Sequence, residues 1–486
     1  MDSLASLLLA FPPYKEVDLS SKEIYDNSLT LHKSRVFKLA RERSKDLVTH
    51  CVQLFDLLDP AVNSLSYAVI LHALLVPSLP SSVPRDYILE KLVTFLMAFD
   101  GRQCRVIGPI LTEVINEMWH NTLLPPSVAC EVLASYILRI DPTGTVFTNT
   151  HILLVKLAYQ TNNIPPALPV IDKNIVFYPG MTKSDTPHPM LSDPLLSPPL
   201  YIDRASGFTP NIKTPAVLEY DLLCGLIYCT RRDWTKARIA FERVVSFPTK
   251  DGGTSKIMVE AYKKWVLTSL LSLGSQTDTA PYVSNATTKS YNVLARPYNA
   301  LASAFSSDDV QGVKQVAAKY GPTWVEDANV GLVQELLSAY QKWRILSLQG
   351  IYTKISLAEI RQQTTSAETG RALPNDEEVE RLLKNMISTG MLHGEIQQSS
   401  SGTKHLSFFP QSATLSEQEF AQELATTADN LKKLGEVFRA TNTRLATSKE
   451  YVKWCVKEEK KNEQNAGAGM TYDEEDLMGG GIDPDL

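Results

Sequence analysis

The stretch that most constrains the fold is residues 351–409, because helix and strand signals alternate there in a fixed order. Ser356 can cap a helix, and Glu359 three residues later can reach back to the amide of the cap, which is a capping-box pattern. Asn375 can cap a second helix, whose apolar residues recur at helical spacing. Gly390 ends that helix, since glycine adopts the left-handed conformation without a steric penalty. The sequence therefore predicts two short helices here.

Two short strands are predicted after these helices, because apolar and polar residues alternate on either side of a turn rich in serine and glycine. Together, two helices and a hairpin with one apolar face are the elements of a winged helix, which we predict for residues 351–410. The alternating positions are Leu392, His393, Glu395 and Ile396 in the first strand and His405, Leu406, Ser407 and Phe408 in the second.

Helical spacing dominates the beginning of the chain. In residues 1–164 it is interrupted by proline and turn residues, which predicts a stacked array of helices, one of them over residues 36–58. Residues 165–215 hold eleven of the 28 prolines, so we expect a long connection without long helices or central strands. Its apolar segments 175–178 and 200–202 could still dock on a neighbouring element.

Residues 216–350 return to helical spacing, with a single helix expected over 291–305 and another over 329–349. Four positions have the spacing of a tetratricopeptide repeat, in which small residues let two antiparallel helices approach closely. They are Gly225, Tyr228, Ala237 and Phe241. The last helix carries an apolar stripe that leads directly into the predicted winged helix. The stripe consists of Leu332, Leu336, Ala339, Trp343 and Leu346.

After Pro410 the apolar pattern changes to alternating steps of four and three, which is the a/d seam of a coiled coil. We expect a C-terminal helix within residues 411–465, running from about 416 to 461 and presenting this seam to a partner. Its positions are Phe420, Leu424, Thr427, Leu431, Leu434, Phe438, Thr441 and Leu445. Residues 466–486 are rich in glycine and acids and are expected to be disordered.

Composition places the chain among soluble globular proteins of a reducing compartment. Of its 486 residues 44% are apolar and 21% charged, and the six cysteines do not have the spacing of a disulfide framework. The net charge of −6 argues against general nucleic-acid binding. Neither a secretory signal nor a run of about 20 apolar residues is present, so no membrane association is expected.

An enzyme requires a constellation of reactive groups, and the sequence offers none. It lacks the common zinc-protease, His-x-His metal, phosphate-loop and dinucleotide motifs. Cys224 and Cys229 lie about 140° apart around a helix and are read as core thiols. His393 and His405 lack a third ligand nearby. We therefore predict no catalytic, metal-binding or cofactor-binding residues and no cofactor.

Winged helices often bind DNA, which leaves that function as a remote alternative. The second helix would be the recognition helix, and its first turns contain acids that repel phosphates. The wing offers a single lysine, Lys404. The acids of that helix are Asp376, Glu377, Glu378 and Glu380.

The combination of these features resembles the PCI family, which supplies subunits to the proteasome lid, the COP9 signalosome and translation initiation factor three. The resemblance is carried by the runs Asn329-Val-Gly-Leu-Val-Gln, Ile355-Ser-Leu-Ala-Glu-Ile, Glu378-Val-Glu-Arg-Leu-Leu and His393-Gly-Glu-Ile. It implies a fold that is mostly α, with a helical-repeat (tetratricopeptide-like) array, a winged-helix subdomain and a long C-terminal helix.

Within the family the chain most resembles the COP9 signalosome members. This implies a non-catalytic scaffold in a hetero-oligomer whose other PCI and metal-binding subunits are its partners, in the cytoplasm and nucleus. That complex regulates cullin-RING ubiquitin ligases by cullin deneddylation; a proteasome-lid or initiation-factor subunit is the alternative. The expected contacts are a wing edge and the C-terminal seam. They comprise Leu392, His393, Glu395, Ile396, His405 and Phe409, and Phe420, Leu424, Leu431, Leu434, Phe438 and Leu445.

Overall fold

The chain forms two compact units in a computed structural model, Met1–Gln411 and Ser412–Leu486. The predicted fold class, mostly α with helical repeats and one small sheet, is confirmed. The structure describes residues 2–13, 21–76, 82–120, 123–179, 191–194, 196–210, 212–249, 253–307, 309–399, 402–409, 417–447 and 449–467.

The N-terminal helices pack around one apolar core, and several begin at or just after a proline or an Asp or Thr cap, as helix starts favour. They are α1 (Asp2–Leu8), α2 (Lys22–Glu42), α3 (Ser44–Thr49), α4 (Cys51–Leu57), α5 (Ser64–Leu75), α6 (Arg85–Ala98), α7 (Gly101–Cys104), α8 (Gly108–His120), α9 (Pro126–Ile140), α10 (Asn149–Thr161) and α11 (Leu168–Ile171).

The single helix predicted over residues 36–58 is wrong, because the chain there divides among α2, α3 and α4. The backbone leaves helical geometry at Arg43 (φ −131°, ψ 38°) and at His50 (φ −103°, ψ 12°). These bends turn the fully buried Leu47 and Cys51 toward the core. Neither bend contains a glycine or a proline, so we attribute the position of the bends to the packing of the core.

The proline-rich connection is held against the helices at several points, with short 3₁₀ turns at Pro165–Ala167 and Pro198–Leu200. Tyr201 is fully buried, donates a hydrogen bond to the carbonyl of Ile140 at 2.8 Å, and lies under the guanidinium of Arg105 at 3.9 Å. The neighbouring Leu200, which was also expected to dock, is 45% exposed.

A second series of helices follows and shares the same core. It comprises α12 (Thr214–Thr230), α13 (Trp234–Val245), α14 (Lys256–Leu273), α15 (Asn285–Leu294), α16 (Arg296–Ser306), α17 (Val310–Lys319), α18 (Gly321–Glu326) and α19 (Val330–Leu348). Gly225 in α12 lies against the Phe241 ring of α13, so that a Cβ at Gly225 would come within 2.4 Å of the ring. This is the close approach that the repeat spacing predicted.

Two details of this series differ from expectation. The predicted helix over 291–305 is divided at Ala295, one residue before the start of α16, where Pro297 occupies the first turn. The stripe of α19 is rotated by about one position, because Val333, Tyr340, Ile345 and Leu348 are buried together with Leu336. The other predicted stripe residues, Leu332, Ala339, Trp343 and Leu346, are partly buried.

The winged-helix region, residues 351–409, has its own core. Its elements are β1 (Lys354–Ser356), α20 (Leu357–Gln363), α21 (Asp376–Ser388), β2 (Gly394–Gln398) and β3 (Lys404–Phe408). The Ser356–Glu359 capping box and the Asn375 cap are both formed, and Gly390 follows α21 at φ +70°. The three antiparallel strands lie in the order β1-β3-β2, so the hairpin gains a third strand that the sequence reading missed.

Two helices, α22 (Glu417–Thr447) and α23 (Lys449–Gly467), form the described part of the second unit. They extend a few residues beyond the predicted end near 461, and residue 448 between them lies outside the described residues. The disorder predicted for residues 466–486 falls, from residue 468 on, outside the described residues. None of the described helices has the length and apolar character that crossing a membrane requires.

Candidate protein interaction surfaces

Strand β2 forms one edge of the sheet, and along its outer side no backbone group bonds to another residue that the structure describes. The amide of Phe409 donates to the carbonyl of His393 at 3.0 Å, and that of Ser399 donates to Thr403 at 2.9 Å. Because hydrogen-bonded and outward-facing residues alternate along an antiparallel edge strand, the N–H and C=O groups of Gly394, Ile396 and Gln398 point away from β3. Such a row of open groups is a template for pairing with another chain.

The predicted wing-edge residues occupy three different positions. His393 and Glu395 are exposed near the β2 edge, and Ile396 and Phe409 are half-buried. Leu392 was misassigned, because it is 1% exposed and belongs to the core of the winged-helix region. His405 was also misassigned, since it lies on the central strand β3 between the two edge strands. A side chain on a central strand is not an edge contact.

The two histidines of the hairpin do not form a metal pair. His393 lies beside Phe409 and His405 lies opposite Gln397. Four residues of strand therefore separate them, or about 13 Å at 3.3 Å per residue. Among the described residues no cluster of three potential metal ligands is present.

The electrostatics of α21 disfavour contact with phosphates. Lys404, the lysine of the wing, donates to Glu380 at 2.6 Å, and Lys384 donates to the same carboxylate at 2.8 Å. These hydrogen bonds, from Lys384 first and then Lys404, hold the pKa of Glu380 below its usual value. The lysine that could contact a backbone phosphate is therefore already paired, while Asp376 and Glu377 stay exposed at the start of the helix.

Helix α22 presents its apolar seam to solvent along its whole length. We define the seam as Phe420, Leu424, Leu431, Leu434, Phe438 and Leu445, whose exposed fractions are 57%, 59%, 64%, 63%, 68% and 42%. Burying one such side chain contributes about 1.5–3 kcal/mol, so the seam represents a large uncovered apolar surface. Contiguous exposed apolar surfaces of this kind mark contact sites in soluble proteins.

The structure also contains a groove that sequence reasoning missed. It has a volume of about 1530 Å³ and lies between α19, the α12–α13 turn and the segment 389–393 that precedes β2. Its walls combine opposite charges, because Arg232 pairs with Glu335 at 2.5 Å beside Lys342 and Asp233. Arg232 has a positive φ of 58°, which the sequence did not predict.

Two buried histidines and two cysteines of the interior are kept in their neutral forms. Burial lowers the pKa of His32 to about 4 and of His151 to about 3. Burial likewise raises the pKa of Cys130 to about 11 and of Cys229 to about 12, so neither is a thiolate near neutral pH. These two histidines and two cysteines are therefore not poised to act as acids, bases or nucleophiles near neutral pH.

Comparison with known proteins points to one complex. Residues 31–192 and 194–287 match the family described as COP9 signalosome complex subunit 3, N-terminal helical repeats. A protein of Neurospora crassa named COP9 signalosome complex subunit 3 is 38% identical over 99% of both chains. A protein of Emericella nidulans with the same name is 28% identical over 89% of this chain and 88% of its own.

Proposed function

This chain belongs to the COP9 signalosome subunit 3 family, and from that premise we propose that it is a scaffold subunit of the COP9 signalosome. In the proposed role it is not catalytic: it contributes to cullin deneddylation, and so to regulating cullin-RING ubiquitin ligases, by holding other subunits in place. The resemblance over nearly the whole length of two relatives with that name favours this complex over the proteasome lid or initiation factor three.

The observation that carries the proposal is the exposed seam of α22. An isolated helix gains little from such a pattern, since helices in water are stabilised mainly by burying an apolar face. The flanking positions Ala421, Ala428 and Gly435, which follow Phe420, Thr427 and Leu434, are small and uncharged. Two-stranded coiled coils usually carry charges there, so these residues favour close packing among several helices. We propose that the seam enters a bundle with helices of other subunits.

The edge of β2 is proposed as the second contact surface, with a neighbouring PCI subunit adding backbone hydrogen bonds at Gly394, Ile396 and Gln398. Pairing along this edge would satisfy the open backbone groups. The partners proposed for the two surfaces are the other PCI subunits and the metal-binding subunits, in a hetero-oligomer of the cytoplasm and nucleus. Winged-helix DNA binding is disfavoured by the Lys404–Glu380 pair.

Replacing Leu431, Leu434 and Phe438 by glutamate tests the bundle. Three charges in a buried seam would each cost several kcal/mol, so recovery of partner subunits with the tagged chain should fall by about tenfold or more. The measurement is affinity purification from cells followed by quantitative mass spectrometry, which also identifies the complex. Subunits of the proteasome lid among the recovered proteins would indicate the alternative complex.

A matched control places the same three charges elsewhere on α22. Gln422, Ala425 and Thr426 are exposed and lie off the seam, so their replacement by glutamate should leave recovery unchanged. Circular dichroism of both variants verifies that the N-terminal helices stay folded. Full recovery of partners with the seam variant would refute the bundle.

A further inference from the structure

Helix α23 carries three exposed lysines on one side. At about 100° per residue, Lys453, Lys457 and Lys460 fall within an arc of about 60°. We call this surface the basic face. Val452 and Cys455, which continue the four–three spacing of the seam, are centred roughly 140° away from it. The basic face therefore stays accessible even when the apolar side of the helix is covered by a partner.

The basic face lacks countercharges within the described residues. Lys453, Lys457 and Lys460 are exposed, and none of them forms an ion pair with another described side chain. Like charges four residues apart on a helix repel by about 0.2–0.5 kcal/mol per pair, and Lys453 and Lys457 form such a pair. This repulsion is relieved when an acidic segment lies along the face.

Aromatic surface adjoins the same face. The rings of Tyr451 and Trp454 are stacked with their centroids 5.8 Å apart, and Trp454 is 55% exposed. A segment that pairs with the lysines would also come within reach of the indole. The face thus suits an acidic segment that contains a few apolar or aromatic residues.

The chain itself carries a segment of this composition. Residues 471–486 contain six acids and no base, and since the whole chain has 54 acidic and 48 basic residues, the remainder is formally neutral. The acids Asp473 to Asp476 are consecutive, with Tyr472 before them and Leu477 after them.

The distances allow this segment to fold back onto the helix. An extended chain from Gly467 to Asp473 or Asp476 spans about 20–30 Å at 3.3 Å per residue. Lys457 and Lys453 lie ten and fourteen residues before the end of α23, or about 15 and 21 Å along its axis. A short tether also raises the effective concentration of the acids to the millimolar range.

From these observations we propose that the acidic residues 473–476 bind the basic face of α23 in the same chain. The contact pairs carboxylates with Lys453, Lys457 and Lys460, and it places Tyr472 or Leu477 beside Trp454. Because the basic face lies away from the seam, this contact does not rest on the proposed bundle, and either can fail without the other.

Zero-length carbodiimide crosslinking of the affinity-purified complex tests the proposal, since the reagent joins only a carboxylate and an amine that touch. We expect crosslinks from residues 473–476 to Lys453, Lys457 or Lys460. A mixture of isotopically heavy and light chains distinguishes crosslinks within one chain from those between chains. Crosslinks of the acids to other lysines, to a partner subunit, or to no lysine at all would overturn the proposal.

Charge reversal provides a second, independent readout. Lys453→Glu, Lys457→Glu and Lys460→Glu together should lower the yield of these crosslinks at least fivefold, and adding D473K, E474K, E475K and D476K should restore them. Lys432→Glu, Lys433→Glu and Arg439→Glu on α22 form the matched control and should leave the yield unchanged. Failure of the swapped charges to restore crosslinking would also overturn the proposal.

Discussion

Helices α19 and α22 carry nearly the same apolar spacing, but their apolar residues differ in exposure. Leu336 and Ile345 of α19 are fully buried within their own unit, whereas Leu434 and Phe438 of α22 are 63% and 68% exposed. Periodicity therefore predicts that a helix has an apolar side but not where the covering surface comes from. For α19 it comes from the same chain, and for α22 we propose that it comes from other subunits.

The contrast is tested most strongly by truncating one leucine in each helix. Leu336→Ala should lower the free energy of unfolding of the first unit by about 2–5 kcal/mol, because it leaves a cavity in a close-packed core. Leu434→Ala in the isolated chain should change it by less than about 0.5 kcal/mol. Thermal unfolding followed by circular dichroism measures both.

Assembly should make the second variant measurably weaker. In the purified complex the Leu434→Ala variant should dissociate at lower denaturant concentration than wild type, because a seam side chain is then missing from a buried interface. Equal destabilisation by the two substitutions in the isolated chain would mean that the α22 seam is already covered by its own unit.

The next largest effect is a pH dependence of the free energy of unfolding, which comes from Asp221 in the helical array. Burial raises the pKa of Asp221 to about 6, although its neighbour Arg243, 3.4 Å away, partly opposes the rise. The folded state therefore holds the proton more tightly than the unfolded chain, whose value is near 3.9. The stabilising contribution of Asp221 is complete below that value and is lost as pH rises through 6, by roughly 3 kcal/mol.

The side chain of the Asp221→Asn variant cannot ionise. This variant should therefore lose less stability than wild type as the pH rises from 4 to 7. The exposed Asp278→Asn serves as the control and should keep the wild-type slope. Melting temperatures recorded across that pH range provide the measurement. The same slope in the Asp221→Asn variant as in wild type would assign the pH dependence to other groups.

The smallest expected effect concerns the sheet edge, the other surface proposed to be completed by a partner. Gln398→Pro removes an outward N–H from β2, a position where edge strands tolerate proline. Losing one hydrogen bond of about 1 kcal/mol should weaken assembly about fivefold in a competition purification against wild type.

Gln398→Ala is the matched control, because it removes the same side chain but keeps the amide. It should compete as wild type does. If the alanine variant were weakened as much as the proline variant, the side chain rather than the backbone edge would make the contact.

Local signals in the sequence predicted the local structure of the winged-helix region. The capping box at Ser356, the Asn375 cap and the stop at Gly390 each depend on atoms within a few residues, so sequence spacing suffices to predict them. The exposed seam of α22 followed from spacing as well. The contacts of the predicted wing and seam residues with other subunits remain predictions.

Features that depend on distant residues could not be predicted. Strand β1 has three residues and exists because Ile355 pairs with Leu406, about fifty positions away. Without it, His405 looked like an edge residue. Leu392 was placed on the strand because the alternation seemed to begin there, whereas β2 begins at Gly394, where a Cβ would approach the carbonyl oxygen of Ser407 to 2.6 Å.

The course of α19 has a consequence for how the first unit can be divided. Its early turns place Val333 and Tyr340 in the core of the array, and its last turns place Ile345 and Leu348 in the core of the winged-helix region. One continuous helix thus joins both cores, and melting either end exposes apolar surface of the other. The winged-helix region is accordingly not an exchangeable module: a transplanted fragment starting at residue 351 would lack part of its own interior.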